Sequence, residues 1–145
     1  MTNKILLPLF TAMLAGLFAT VLIAQTVPVT PAPEDAKVSI LSPADGDTVE
    51  REFVVVFGLE GMGVAPAGID IEGTGHHHLL VDQETLPPQG MPMGNPPLHF
   101  GKGQTQTTLT LEPGTHTLQL IMGDKLHIPH NPPIVSELIT IEVKE

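Results

Sequence analysis

Short runs of alternating hydrophobic and polar residues fill the chain from Val38 onward, and no window follows a helical period. In Thr105–Leu111, polar Thr and Gln alternate with Leu109 and Leu111. The next run, Thr115–Met122, places its hydrophobic residues on one face in the same way. A period of two is typical of β-strands that bury one face. The pattern therefore predicts strands along most of the chain.

Four further runs extend this pattern. Phe53–Leu59 is apolar at successive positions, which predicts a strand buried on both faces. In His76–Val81, one face would carry His77, Leu79 and Val81 and the other would carry His76, His78 and Leu80, while Val38–Leu41 and Ile134–Val143 lie at the two ends of the region. Turn sequences such as Glu112-Pro113-Gly114 separate the runs. Short strands at regular spacing predict an all-β fold, an immunoglobulin-like β-sandwich of about seven strands.

The residues before Val38 have a different composition. Met1–Lys4 carries a positive charge, Ile5–Ile23 is an uncharged apolar run, and Ala24 is small. This order is typical of a secretory signal peptide, although the run is nearly long enough to be an uncleaved membrane anchor. We therefore predict a signal peptide or membrane anchor at 1–24, a Pro-rich linker at 25–37 and the sandwich domain at 38–145. The expected location is periplasmic or otherwise exported, with membrane contact only through an uncleaved N-terminal segment.

Charge and cysteine content exclude several functions. The formal net charge of −10 disfavours nucleic acid as a partner, because an acidic surface repels phosphates. The chain has no Cys, so disulfides, thiolate metal sites and thiol nucleophiles are excluded. The domain serines lie outside any nucleophile-elbow pattern. These features make an enzyme the less favoured class.

Two Pro-rich segments, Gln83–Leu98 and Asp124–Pro133, are predicted to be long loops. Long irregular loops in compact domains are often functional, and proline limits their freedom before any ligand binds. The loops could therefore hold side chains in place or bind an envelope protein partner. Alternatively, the prolines protect sheet edges from aggregation.

Histidines provide the main chemical signal, because all seven lie in the predicted domain. Strand geometry puts His76 and His78 on one face and His77 on the other, where it is expected to be a core residue. His116 precedes Leu118 on an apolar face and is also expected in the core. Imidazole and thioether ligands without thiolate favour copper first and zinc second. The predicted metal ligands are His76, His78, His99, His127 and His130, with Met62, Met91 and Met93 as lesser candidates.

Several motifs together resemble a family of small exported bacterial proteins labelled as a domain of unknown function. They are GMGVAPAG (61–68), TGHHHLLVD (74–82), LHFGKGQTQTTLTL (98–111), PGTHTLQL (113–120) and HIPHNPPIVS (127–136). The resemblance covers 38–145 and implies a shared exported β domain whose histidine pattern falls on all seven His. Lys102 stands where the family pattern suggests glycine. The label carries no activity, so the metal hypothesis depends on the residues alone.

Three functional classes follow from these observations. The favoured one is a periplasmic metal-binding module with no catalytic activity. The second is an envelope binding or scaffold domain, in which the histidines are structural and the Pro-rich loops bind a partner. A hydrolase with a His-bound metal has the least support.

Overall fold

The computed structural model of the protein describes residues 28–145, so the predicted leader and the first part of the linker lie outside the described residues. The described part of the chain forms nine β-strands, and the all-β prediction is confirmed. Within residues 28–145 there is no helix of the length and hydrophobicity needed to cross a membrane.

Six of the nine strands are long, and each overlaps one of the six runs identified in the sequence; the other three have two residues each. In chain order the strands are β1 (Lys37–Ser42), β2 (Thr48–Val49), β3 (Glu52–Glu60), β4 (Gly63–Val64), β5 (Thr74–Val81), β6 (Leu98–His99), β7 (Gln106–Thr110), β8 (Gly114–Gly123) and β9 (Ile139–Val143).

The strands form two sheets. The smaller sheet has the order β1-β3-β7, and both pairs are antiparallel. The larger sheet has the order β2-β9-β8-β5-β4, with β6 also paired to β5. Its central pairs β5–β8 and β8–β9 are antiparallel, whereas β2–β9 and β4–β5 are parallel.

The main hydrophobic core contains residues of both sheets. Val55 and Phe57 come from β3, and Leu79, Leu118 and Leu120 come from β5 and β8. All five are at most 5% exposed. Alternate residues of each strand therefore face the core, as in a sandwich.

The prediction that β3 is buried on both faces is wrong, because Val54 is 46% exposed. By contrast, β5 is buried on both faces, because every residue from Gly75 to Leu80 is buried. One face of β5 contacts the core. On the other face, Leu80 packs with Ile121 of β8 and with Met93 from the first Pro-rich loop.

The predicted strand Ile134–Val143 begins five residues later than expected. Before Ile139 the chain still follows β8, since Met122 N–H donates to the Ile134 carbonyl and Ser136 N–H donates to the Leu120 carbonyl. These separate hydrogen bonds do not make a regular ladder. The hydrophobic alternation here reports burial beside β8, and Ile134 is indeed part of the core.

The described end of the predicted linker packs on the domain. Ala32 N–H donates to the Asn131 carbonyl, and Asn131 N–H donates to the Thr30 carbonyl. The Thr30 hydroxyl also donates to Asp124 at 2.6 Å. Residues 30–32 therefore hold the second Pro-rich loop against the domain.

We expect Leu120→Ala to lower the free energy of unfolding by about 2–5 kcal/mol, because it leaves a cavity in a fully buried position. Leu138→Ala is the matched control, since Leu138 is 52% exposed and its truncation should cost less than about 0.5 kcal/mol. Urea denaturation measures both values. Equal losses in the two variants would show that Leu120 does not face the core.

Candidate metal centre

Three imidazoles come from neighbouring strands of the larger sheet. His76 and His78 are two residues apart on β5, so they share its outer face. His99 of β6 is the direct partner of His78 in the antiparallel β5–β6 register, and direct partners project from the same face. The strand pairing therefore brings three rings together on the side of the sheet away from the core.

A fourth imidazole, His127, comes from the turn that follows β8. Asp124 N–H donates to the Ile128 carbonyl, and His127 N–H donates to the Asp124 carbonyl, both at 2.9 Å. His127 has a φ of 66°, in the left-handed region that non-glycine residues seldom adopt. A residue in this conformation persists only where the surrounding structure stabilises it, and such residues cluster at functional sites.

The buried carboxylate of Asp124 stabilises this turn. Its Oδ1 accepts hydrogen bonds from the backbone N–H groups of Leu126 at 2.8 Å and Ile128 at 3.0 Å. Its Oδ2 accepts the hydroxyl hydrogen bond of Thr30. The first Pro-rich loop is also attached here, since Met93 N–H donates to the His127 carbonyl at 2.8 Å. His127 is thus fixed by contacts on both sides of its backbone.

The four rings form one compact cluster. The centroid of the His76 ring lies 4.8 Å from that of His78, and 5.0 Å from those of both His99 and His127. The centroids of His99 and His127 are 4.6 Å apart, and the widest separation is 6.1 Å, between His78 and His127.

One ring nitrogen each from His76, His99 and His127 lie within 4.8 Å of one another. An ion with metal–nitrogen bonds of about 2.0–2.1 Å holds tetrahedral ligands about 3.3–3.4 Å apart. Small side-chain rotations would close the difference. These three residues can therefore act as ligands of one ion, with His78 beside them.

Two glycines leave room for the rings. A Cβ at Gly123, which is paired with His76, would lie 2.8 Å from Cε1 of His78. A Cβ at Gly101 would lie only 2.3 Å from Cε1 and Nε2 of His99. A side chain at either position would displace a ring, so both glycines are part of the site.

His76 and His78 are fully buried, and none of their four ring nitrogens has a hydrogen-bond partner among residues 28–145. Burial, together with the nearby His127 and His99, lowers the pKa of His76 to about 4. Burial, His76 and the other two rings lower the pKa of His78 to about 3. Burial of part of the side chain also lowers the pKa of His99, although His99 as a whole is exposed. At neutral pH these rings are uncharged and have a free lone pair each, which is the form that binds metal.

The other four predicted ligands differ in their positions relative to the cluster. Gly75 shares the core face of β5 with His77, and a Cβ at Gly75 would lie 2.9 Å from Cε1 of His130 and 3.3 Å from Cε of Met62. The structure therefore places His130 and Met62 on the opposite face of the sheet from the four-ring cluster. Met91 is 59% exposed. Met93 is buried and lines a cleft of about 450 Å³ together with His99 and His127.

Two histidines have other environments. His77 is fully buried, and its ring centroid lies 5.0 Å from that of Phe57. Burial lowers its pKa, and the Gln104 backbone offsets only part of this decrease. It is a core residue as predicted, although its ring nitrogens have no partner at hydrogen-bonding geometry among residues 28–145.

His116 is only partly buried, so its placement in the core is wrong. Its Nδ1 lies 2.7 Å from an Asp82 carboxylate oxygen and its Nε2 lies 2.9 Å from the Glu112 carbonyl. Both partners accept hydrogen bonds, which favours a doubly protonated ring. The hydrogen bond to Asp82 accordingly raises its pKa.

The sequence interpretation did not assign functions to Asp124, Gly101 and Gly123. One signal was present, because Asp124 is three residues before His127, at the start of a possible turn. The two glycines gave no such signal, since their role depends on rings that approach from other strands.

The metal-free domain should lose stability as the pH falls from 6.5 toward 4. The folded-state pKa values of His76 and His78 lie below the unfolded value of 6.5, so the unfolded chain binds more protons in that window. Their contribution is complete above pH 6.5 and decreases with acidification. Urea midpoints of chelator-treated protein at pH 7 and pH 5 measure the effect.

The variant His76→Leu plus His78→Leu is the control for this measurement. It should show a smaller difference between the two pH values, because the titrating rings are gone. His116, with its raised pKa, acts in the opposite direction and stays in place. A parent midpoint that stays constant or rises on acidification would contradict the burial of these rings.

Comparisons with known proteins add a family but no activity. No curated protein and no solved structure matches the chain. A family model described as a domain of unknown function, DUF4399, matches residues 55–144, which include all four rings of the cluster. The chain therefore belongs to the DUF4399 family.

Proposed function

We propose that this protein is an exported metal-binding module whose site holds copper first and zinc second. The observation that carries this proposal is the pair of buried rings, His76 and His78, whose nitrogens have no partner among the described residues. A buried polar group without a partner costs about 1–3 kcal/mol. A metal ion bound by His76, His99 and His127 would give one ring nitrogen of His76 a partner and would remove that part of the cost.

The donor set supports copper or zinc over other metals. Magnesium and calcium prefer oxygen ligands, whereas imidazole nitrogen suits copper, zinc and nickel. The buried Asp124 carboxylate already accepts hydrogen bonds from two backbone N–H groups and a hydroxyl, so it is not free to act as a ligand. Among divalent first-row metals, affinity for a given nitrogen site is highest for copper.

A binding function is favoured over a catalytic one because a fourth imidazole, that of His78, lies beside the other three. Catalytic zinc sites keep one coordination position open for water or substrate. Here the ring of His78 lies 5.0 Å from that of His99 and 4.8 Å from that of His76, close enough to compete for that position. The hydrolase hypothesis therefore remains the least supported.

The exported location and an envelope partner are parts of the proposal that depend on sequence. The apolar run Ile5–Ile23 after a positive start supports export. Copper would then meet the protein in an oxidising compartment, where a site without thiolates cannot be lost to disulfide formation. A partner protein would exchange the ion at the cleft beside His99 and His127.

The test is a titration of tag-free protein with Cu(II) and Zn(II) at pH 7.5, followed by calorimetry. We expect one equivalent to bind. Two single variants, His99→Ala and His127→Asn, should each weaken binding by about tenfold or more. His99 is exposed, so its truncation spares the core. Asn tolerates the left-handed backbone of position 127 while removing the imidazole.

His116→Ala is the matched control, because it removes an imidazole that lies outside the cluster. It should bind as the parent does. If the parent binds neither ion stoichiometrically, or if all three variants lose binding equally, the metal site is refuted and the scaffold function becomes the better explanation.

A further inference from the structure

Met93 lies beside the four-ring cluster and also packs with apolar residues. A Cβ at Gly123 would lie 2.8 Å from Cε of Met93 and also 2.8 Å from Cε1 of His78. The two side-chain atoms are therefore at most twice that distance apart. The thioether sulfur is bonded to that Cε, so a rotation of the flexible Met93 side chain can bring it toward the imidazole of His78.

The position of Met93 is fixed by several contacts. Its N–H donates to the carbonyl of His127, which ties it to the turn that carries the fourth ring. Its side chain is 8% exposed and packs with Leu80 and Ile121. It also lines the cleft that reaches His99 and His127. Met93, whose thioether is a soft donor, is thus held near both the imidazoles and the apolar side chains of Leu80 and Ile121.

Soft and hard ions respond differently to such a donor. Thioether sulfur is a ligand for Cu(I), whereas Zn(II) is bound well by imidazole nitrogen. Cu(I) carries a single charge, so placing it beside apolar side chains costs less free energy than placing a divalent ion there. A site in which imidazoles and a thioether meet can hold copper after reduction instead of releasing it.

We propose that Met93 is a ligand for Cu(I), and that together with His78 it lets the same cluster hold copper in both oxidation states. This proposal depends on the proposed metal-binding function and goes beyond it by naming the Cu(I) oxidation state and the residue that selects it. The imidazoles of His76, His99 and His127 serve Cu(II) and Zn(II). The Met93 sulfur and a His78 ring nitrogen serve Cu(I).

The test compares Met93→Leu with the parent. The substitution conserves volume and hydrophobicity, so the packing with Leu80 and Ile121 should survive. Cu(I) affinity is measured without oxygen by competition with the Cu(I) chelator bathocuproine disulfonate. Zn(II) affinity is measured by calorimetry on the same preparations, and circular dichroism checks the fold.

We expect Met93→Leu to weaken Cu(I) binding by about tenfold or more and to change Zn(II) binding by less than about threefold. Met91→Leu is the matched control from the same loop, because Met91 is 59% exposed, and it should leave both affinities unchanged. Only a selective loss of Cu(I) supports a ligand role.

Three results would overturn the proposal while leaving the metal site intact. Unchanged Cu(I) affinity in Met93→Leu would mean that the sulfur does not bind the ion. Equal weakening of Cu(I) and Zn(II) would mean that Met93 only supports the packing of the cluster. A parent that binds Zn(II) or Cu(II) but not Cu(I) would also refute it, whereas a parent that binds no ion refutes the proposed function itself.

Discussion

The burial of two imidazoles, His76 and His78, on the outer face of β5 is the constraint on which the rest of the structure depends. Outer faces of sandwich sheets usually face water, and a histidine there would keep its ordinary pKa and its hydrogen bonds to solvent. Here the two Pro-rich loops cover that face, and the pKa values of both rings fall to about 4 and 3. The fold thus keeps two uncharged nitrogen bases in a place where no described protein group bonds to them.

Several otherwise unrelated features follow from this constraint. The loops must reach across the sheet, and the hydrogen bond from Met93 N–H to the His127 carbonyl joins them there. The turn after β8 must bring His127 inward, so a buried Asp124 accepts three hydrogen bonds to hold it. The strand beside His76 must leave space for the rings, and β8 has Gly123 at that position.

The sequence predicted the fold better than the site, for a physical reason. Strand alternation is local, so the six long strands and the shared face of His76 and His78 could be predicted from spacing alone. His99 and His127 were named as ligands by residue type, but their approach depends on the β5–β6 register and on a left-handed turn. The same long-range geometry separates His130 from the cluster. In the sequence it is only three residues from His127, yet it lies on the other face of the sheet.

We propose that one ion binds within the four-ring cluster, at His76, His99 and His127 with His78 beside them, and leaves the other three histidines unaffected. The most direct test is nuclear magnetic resonance of the histidine ring nitrogens in ¹⁵N-labelled, tag-free protein during a Zn(II) titration. We predict that ring signals of the four clustered histidines shift and saturate at one equivalent. Signals of His77, His116 and His130 should stay in place. Shifts spread evenly over all seven histidines, or confined to His116 and His130, would contradict it.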